Sequence, residues 1–197
     1  MKKELQEKLY NRYPELFSQK DLSIKQSSMP FGIETGDGWY NIINSVCCLL
    51  QHYVKNSRSD RARNLIWNRR LKQAIDGNTA NLYRFFNNSI GYTEEKANEE
   101  VEKQIKNKNF RKVEKPVPQI QFTQIKEKYG TLRLYTNHVD DYIDGVVAMA
   151  EIMSGCTCEV CGVPGKLTGG GWYQTLCRRC AKQQQIPYDE KKEDDDE

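Results

Sequence analysis

Four cysteines carry the clearest chemistry in the chain. Cys158-Glu159-Val160-Cys161 and Cys177-Arg178-Arg179-Cys180 are two Cys-x-x-Cys pairs with residues 162–176 between them. Thiolates two residues apart grip one tetrahedral metal ion, and an intervening loop of this length lets a second pair close the site. Gly162, directly after the second cysteine, lets the backbone fold tightly enough for amides to point at the sulfurs. With four protein ligands the ion has no open position. The expected cofactor is therefore a structural Zn2+ held by Cys158, Cys161, Cys177 and Cys180. A redox dithiol, the rival reading, needs one pair at a helix start and leaves the second pair unexplained. Cys156 is a bystander, because a one-residue spacer strains the geometry. Cys47 and Cys48 diverge on a helix and read as small core residues.

Other reactive groups are sparse. The two histidines are His52 and His138. His138 lies close to Asp140 and Asp141, and the three could form a hydrolytic metal site or supply a general base. The aspartates also suit the start of the helix that follows, and no nucleophile accompanies them. No phosphate-binding Gly-x-x-x-x-Gly-Lys-Ser/Thr, no Gly-x-Ser-x-Gly and no His-Glu-x-x-His occurs, so a binding role is favoured over catalysis.

A binding role needs charge and flat rings. Between Lys55 and Lys72 stand seven basic residues and one acid, Asp60. Arg58, Arg61, Arg69 and Lys72 share one helical face, either simply solvated or a site for an anion, where arginine forks meet phosphate. Arg133 and Arg178 add basic groups, and Trp172 and Tyr173 are exposed rings able to stack on a base. Trp39, Tyr40 and Trp67 are further rings, with Trp39 and Trp67 assigned to the core. The candidate ligand-binding set is thus Arg58, Arg61, Arg69, Lys72, Arg133, Trp172, Tyr173 and Arg178. The implied partner is a phosphorylated small molecule or a protein, with nucleic acid as the alternative.

Net charge is +3 over 197 residues, which alone implies no polyanion partner. The last nine residues, Asp189 to Glu197, hold seven acids and two lysines. Removing them from totals of 27 acids and 30 bases leaves 20 against 28, a basic surplus suited to an anionic ligand. No apolar run reaches membrane-spanning length, and the charged start, Met-Lys-Lys-Glu, lacks the apolar stretch of a signal peptide. Seven cysteines, an odd number, fit reduced thiols in a cytoplasm.

Several elements must position these groups. Leu5, Leu9 and Tyr13 give a short helix that Pro14 ends, and residues 18–36 read as loop. Asp37 is a candidate N-cap for a core helix over 38–55, striped by Trp39, Ile42, Ile43, Val46, Leu50, Tyr53 and Val54. Ser59 caps a second helix over 60–76 that Gly77 ends. A short helix follows Asn78-Thr79, and Thr93 caps a polar helix over 94–108 with a narrow stripe of Ala97, Val101 and Ile105. Lys115-Pro-Val-Pro118 is a linker-like stop. Alternation at Ile120 and Phe122 and at Leu132 and Leu134 predicts a β-hairpin, with a bulge because Ile125 breaks the parity. Asp140 or Asp141 caps a last helix through Met153.

The fold class is therefore α+β. A helical body spans 1–115, a hairpin plus helix 116–155, a zinc ribbon 156–182 and an acidic disordered tail 183–197.

Several motifs together resemble a family. Gly36-Asp-Gly-Trp39 before an apolar helix, Gln124-Ile-Lys-Glu-Lys-Tyr-Gly-Thr-Leu-Arg-Leu-Tyr135, Ala150-Glu151 with Ser154, Cys158-Glu-Val-Cys161-Gly-Val-Pro-Gly165, and Gly171-Trp172 with Thr175-Leu-Cys-Arg-Arg-Cys-Ala181 are similar to those of small zinc-ribbon proteins encoded mostly in bacteriophages and prophages. The resemblance covers residues 31–45 and 120–182 and brings no catalytic assignment. It implies a phage accessory protein acting in the cytoplasm of the infected bacterium. Such a protein would blunt host defence by binding a host factor or sequestering a nucleotide signal.

Overall fold

The computed structural model describes residues 1–169 and 172–188. The chain is mixed helix and sheet. Helix α1 (Lys3–Arg12) buries Leu9 and stops before Pro14, as the sequence predicts. The stretch read as loop, 18–36, holds two single 3-10 turns and a two-residue strand, β1 (Ile33–Glu34). β1 pairs in parallel with β2 (Phe122–Lys128), Ile33 opposite Ile125. Two residues cannot display an alternation, so β1 left no sequence signal. β2 pairs antiparallel with β3 (Thr131–Thr136), giving the order β1-β2-β3. The expected bulge lies between Phe122 and Gln124, and it puts both Phe122 and Ile125 in the core.

Two helix expectations are corrected. The helices at 38–55 and 60–76 are one, α2 (Tyr40–Ile75), of 36 residues. Ser59 therefore caps nothing. Residues 55–64 contain neither glycine nor proline, and polarity alone does not end a helix. Gly77 does end it. With φ +100°, its amide reaches Ala74 O at 3.1 Å and the Asn78 amide reaches Gln73 O at 2.8 Å, the Schellman arrangement. Asp37 is not an N-cap either. It opens a 3-10 turn, Asp37–Trp39, and its carboxylate accepts from the Lys2 amide at 2.8 Å, which holds its pKa below the usual range.

The chain forms two compact units, Val54–Val117 and the remainder, so residues 1–53 group with the chain from Pro118 onward. The helical stretch 1–115 is therefore divided at Tyr53. In the larger unit, Phe17, Met29, Ile33, Trp39, Ile43, Ile120, Phe122 and Leu132 are buried. Phe17 lies between Tyr10 and Phe122, at 4.9 and 5.2 Å. Helix α5 (Asp141–Gly155) packs on β3 and starts at Asp140, whose Oδ1 accepts from the Ile143 amide at 2.9 Å. Ser154 Oγ accepts the Leu132 amide at 2.8 Å and donates to Glu151 O, while Arg133 pairs with Glu151 at 3.5 Å.

In the smaller unit, α3 (Ala80–Asn87) and α4 (Glu94–Asn107) enclose a core of Trp67, Leu71, Ala74, Leu82, Phe86, Ala97 and Val101. Thr93 caps α4 as predicted, accepting from the Lys96 amide. The stretch 109–117, which takes in most of the linker-like stop expected at 115–118, has no regular structure. It runs as a strap along α2, held through its backbone. Asn68 bonds both the amide and the carbonyl of Arg111, and Asn64 donates to Lys112 O. Arg61 donates to Glu114 O at 2.7 Å, and Ser57 Oγ accepts the Val117 amide at 3.0 Å. Residues 57, 61, 64 and 68 follow one stripe of the helix. Trp67 completes the seam, donating to Asn109 O at 2.8 Å under the Arg111 guanidinium.

Among the described residues, no helix is long and apolar enough to cross a membrane.

Candidate metal centre and the surfaces beside it

The last elements of the chain are β4 (Lys166–Thr168), β5 (Gln174–Leu176) and α6 (Arg178–Gln183). β4 and β5 pair antiparallel. Each cysteine pair sits at a turn. In the first, Gly162 takes φ +77°, its amide bonds Cys158 O and the Cys158 amide bonds Val163 O, both at 2.8 Å. In the second, Cys177 precedes α6, and its sulfur accepts the Cys180 amide at 3.5 Å. The four sulfurs lie within 4.8 Å of one another, with Cys161 3.7 Å from Cys177 and 3.6 Å from Cys180. A tetrahedral ion with metal–sulfur bonds of about 2.3 Å needs sulfur separations of about 3.8 Å. The cluster fits a metal, and four soft thiolates suit zinc-like ions. Cys156 lies apart from the cluster and is exposed.

The sulfurs differ electrostatically. The Val163 amide donates to Cys161 and, with the neighbouring cysteines, pulls its thiol down to about 6 against the opposing effect of burial. Burial pushes Cys158 up and takes Cys180 up to about 12. One thiolate is thus available to begin capture of a metal ion, whose charge would displace the remaining protons. The Arg179 guanidinium bonds the Cys161 sulfur, so one of the paired arginines faces the cluster. Arg178 is exposed.

The motif Gly36-Asp37-Gly38-Trp39 is the dock for the first cysteine turn. The Gly36 amide donates to Glu159 Oε1 at 2.8 Å, the Gly38 amide to Glu159 O at 2.7 Å and the Trp39 indole to Thr157 O at 2.8 Å. A Cβ on Gly38 would lie 2.2 Å from Cys158 O and 2.5 Å from Gly162 N. Glycine is required here by proximity. Glu159 is buried, which raises its pKa while the Gly36 amide works against the rise.

The cysteine module also meets the hairpin. Thr175, fully buried, donates from Oγ to Gly130 O at 2.6 Å. Tyr129 and Gly130 form a two-residue turn, both at positive φ, the type I′ pattern. Ile186 and Tyr188 pack against the cysteine core, and Lys166 Nζ lies 4.8 Å from the Tyr188 ring. Of the expected tail from 183, residues to Tyr188 are therefore placed against the module. Asp189–Glu197, and Gly170 and Gly171 of the glycine run, lie outside the described residues.

The expected ligand-binding residues fall in both units, Arg58, Arg61, Arg69 and Lys72 in the smaller and Arg133, Trp172, Tyr173 and Arg178 in the larger. Arg61 binds the strap, and Arg133 is tied to Glu151, Thr131 Oγ1 and Leu132 O. Arg58, Arg69 and Lys72 are exposed on α2. Trp172 and Tyr173 do meet other groups, lining a cleft of about 420 Å3 with Glu127, Lys128 and Tyr129. Sequence reasoning missed these three; the signal available was a tyrosine where a hairpin turn favours asparagine. His138 stands 3.8 Å from Asp140 Oδ2, but that oxygen accepts the Tyr53 hydroxyl at 2.9 Å and the other caps α5. Asp140 is thus a structural carboxylate.

Comparison with protein-family models, with curated proteins and with solved structures finds no match.

Proposed function

We propose that the cysteine module is a zinc ribbon whose ion is structural, and that the chain is a non-enzymatic binding protein. On its resemblance to phage and prophage zinc-ribbon proteins, its role is to antagonise bacterial host defence by holding a nucleotide-type signal or a host factor. The observation that carries the structural role is the closed set of four sulfurs, set into the protein through Gly36 and Gly38. A site with four protein ligands offers no position to a substrate, and its binding energy goes into folding. Support for binding rather than turnover comes from His138 and Asp140, where the carboxylate is already engaged by Tyr53 and the α5 amide.

Metal analysis of protein purified without chelator, together with mass spectrometry of nucleotides released on denaturation, tests both halves. One zinc per chain and a retained nucleotide are expected after incubation with cyclic and ADP-ribose-type nucleotides. Substoichiometric zinc overturns the staple, and zinc-replete protein that retains no nucleotide overturns the sequestering role.

A further inference from the structure

We infer that the cleft between the β2–β3 turn and the β4–β5 hairpin is a purine mononucleotide site, assembled by the metal module. The inference rests on the structural-zinc reading, because the metal fixes the hairpin that carries two of its rings.

Three rings from two distant stretches face the cleft. Tyr129, Trp172 and Tyr173 are 71%, 76% and 48% exposed. None makes a ring–ring contact among the described residues; the Lys128 ammonium lies over one face of Tyr129, which leaves its other face and the rings of Trp172 and Tyr173 for a flat ligand. The other two tryptophans, Trp39 and Trp67, are buried. Large exposed rings gathered in one concavity mark a ligand surface more than a solvated face. Tyr129 adds a separate argument. It has φ +55° at a turn position where glycine or asparagine meets less resistance, and such local strain concentrates at functional sites.

The polar groups select the ligand. Lys128 Nζ lies 5.2 Å from the Tyr129 ring centroid and supplies one positive charge to the cleft. Glu127 Oε1 accepts the Gly130 amide at 2.6 Å, which fixes the carboxylate, while Oε2 takes no hydrogen bond among the described residues. A fixed acceptor matches the amine or ring N–H of a nucleobase and Lys128 matches its phosphate, while the three rings favour a purine, whose double ring covers more aromatic surface than a pyrimidine. One lysine opposed by one glutamate is too little charge for a strand of nucleic acid, which needs a positive track along its backbone. The cleft volume of about 420 Å3 lies within the range of small-ligand pockets.

Placement of the rings depends on the ribbon. Thr175 Oγ bonds Gly130 O, and a Cβ on Gly130 would meet the Leu167 side chain at 2.2 Å, so turn and hairpin are in direct contact.

Trp172 makes the test selective, since it is the exposed tryptophan. The zinc-loaded full chain is titrated with GMP, AMP and UMP, followed by tryptophan fluorescence and calorimetry, with zinc measured on the same samples. Saturable one-to-one quenching is expected with a purine nucleotide. UMP and the variant Tyr129→Ala should each bind about tenfold more weakly, the variant with its zinc intact. Lys128→Ala should weaken binding of the nucleotide but not of the matching nucleoside. Zinc-replete protein that shows no saturable binding up to about 1 mM overturns the site, as does Tyr129→Ala binding like the wild type. Purine binding by zinc-free protein would keep the cleft and refute its dependence on the metal; loss of purine binding in zinc-free protein, regained on adding zinc back, is the result expected.

Discussion

Gly38→Ala is the sharpest test of how the cysteine module is attached. The added methyl carbon would sit 2.2 Å from Cys158 O, 2.5 Å from Gly162 N and 2.7 Å from Glu159 O. All three are backbone atoms, so no side chain can swing aside and the turn must move. Movement breaks the Gly38 amide bond to Glu159 O and strains its neighbours, from Gly36 to the Glu159 carboxylate and from the Trp39 indole to Thr157 O. Two neutral hydrogen bonds contribute about 1 kcal/mol each and one to a charged acceptor about 1.5–3 kcal/mol, so the loss is about 3.5–5 kcal/mol. For a chain of this size that lowers the melting temperature by about 10 °C. Gly145→Ala is the matched control. Gly145 lies inside α5 with no heavy atom within 4 Å of an added Cβ, and alanine there should stabilise by about 0.5–1 kcal/mol. Urea denaturation of both zinc-loaded variants, with amide exchange at Gly38, provides the measurement. A Gly38→Ala variant within about 0.5 kcal/mol of the wild type, with exchange unchanged, would refute the docking argument.

Cys177→Ser should abolish stoichiometric zinc and loosen β4, β5 and α6, read as lost amide protection confined to those elements. Ser57→Ala should cost about 1 kcal/mol and accelerate exchange at Val117, whose amide loses its acceptor, with zinc content unchanged. Arg61→Ala should leave purine binding within about twofold while freeing the strap, because its guanidinium is engaged by Glu114 O. Asp37→Asn should show a pH-dependent deficit. The Lys2 amide lowers the Asp37 pKa, so the carboxylate stabilises the fold above the ordinary aspartate range, and the advantage disappears as pH falls through the lowered folded value. Denaturation profiles of the two proteins should therefore converge in acid, and parallel profiles would refute the assignment.

Local chemistry was legible where it repeats or punctuates. The cysteine spacing placed all four sulfurs together, Gly77 ended its helix, and Thr93 and Asp140 capped theirs. Ile125, out of phase with Phe122, announced the bulge. What was hidden depends on partners far along the chain. Asp37 looks like a cap from its neighbours alone, yet its partner is Lys2. Gly36 and Gly38 look like loop punctuation, yet Glu159 stands against both. The polar run 55–64 resembles a break between helices because its contacts are with strap backbone rather than with apolar side chains. Of the arginines clustered there, Arg61 is taken up by the strap carbonyl of Glu114.

The strap along α2 imposes an uneven constraint on sequence drift. Ser57, Arg61, Asn64 and Asn68 recognise main-chain groups, so they are indifferent to which side chains residues 112 and 114 carry. Those positions can exchange residues with little penalty while the four helix positions cannot. Proline marks the boundary of that tolerance. It already occupies 116 and 118, flanking Val117, and the one amide left between them is the one Ser57 holds. Proline at 117 or 111 would remove a bonded donor. Variation along this stretch should therefore look permissive in every respect except for a ban on proline at 111 and 117, a pattern easily mistaken for an unconstrained linker.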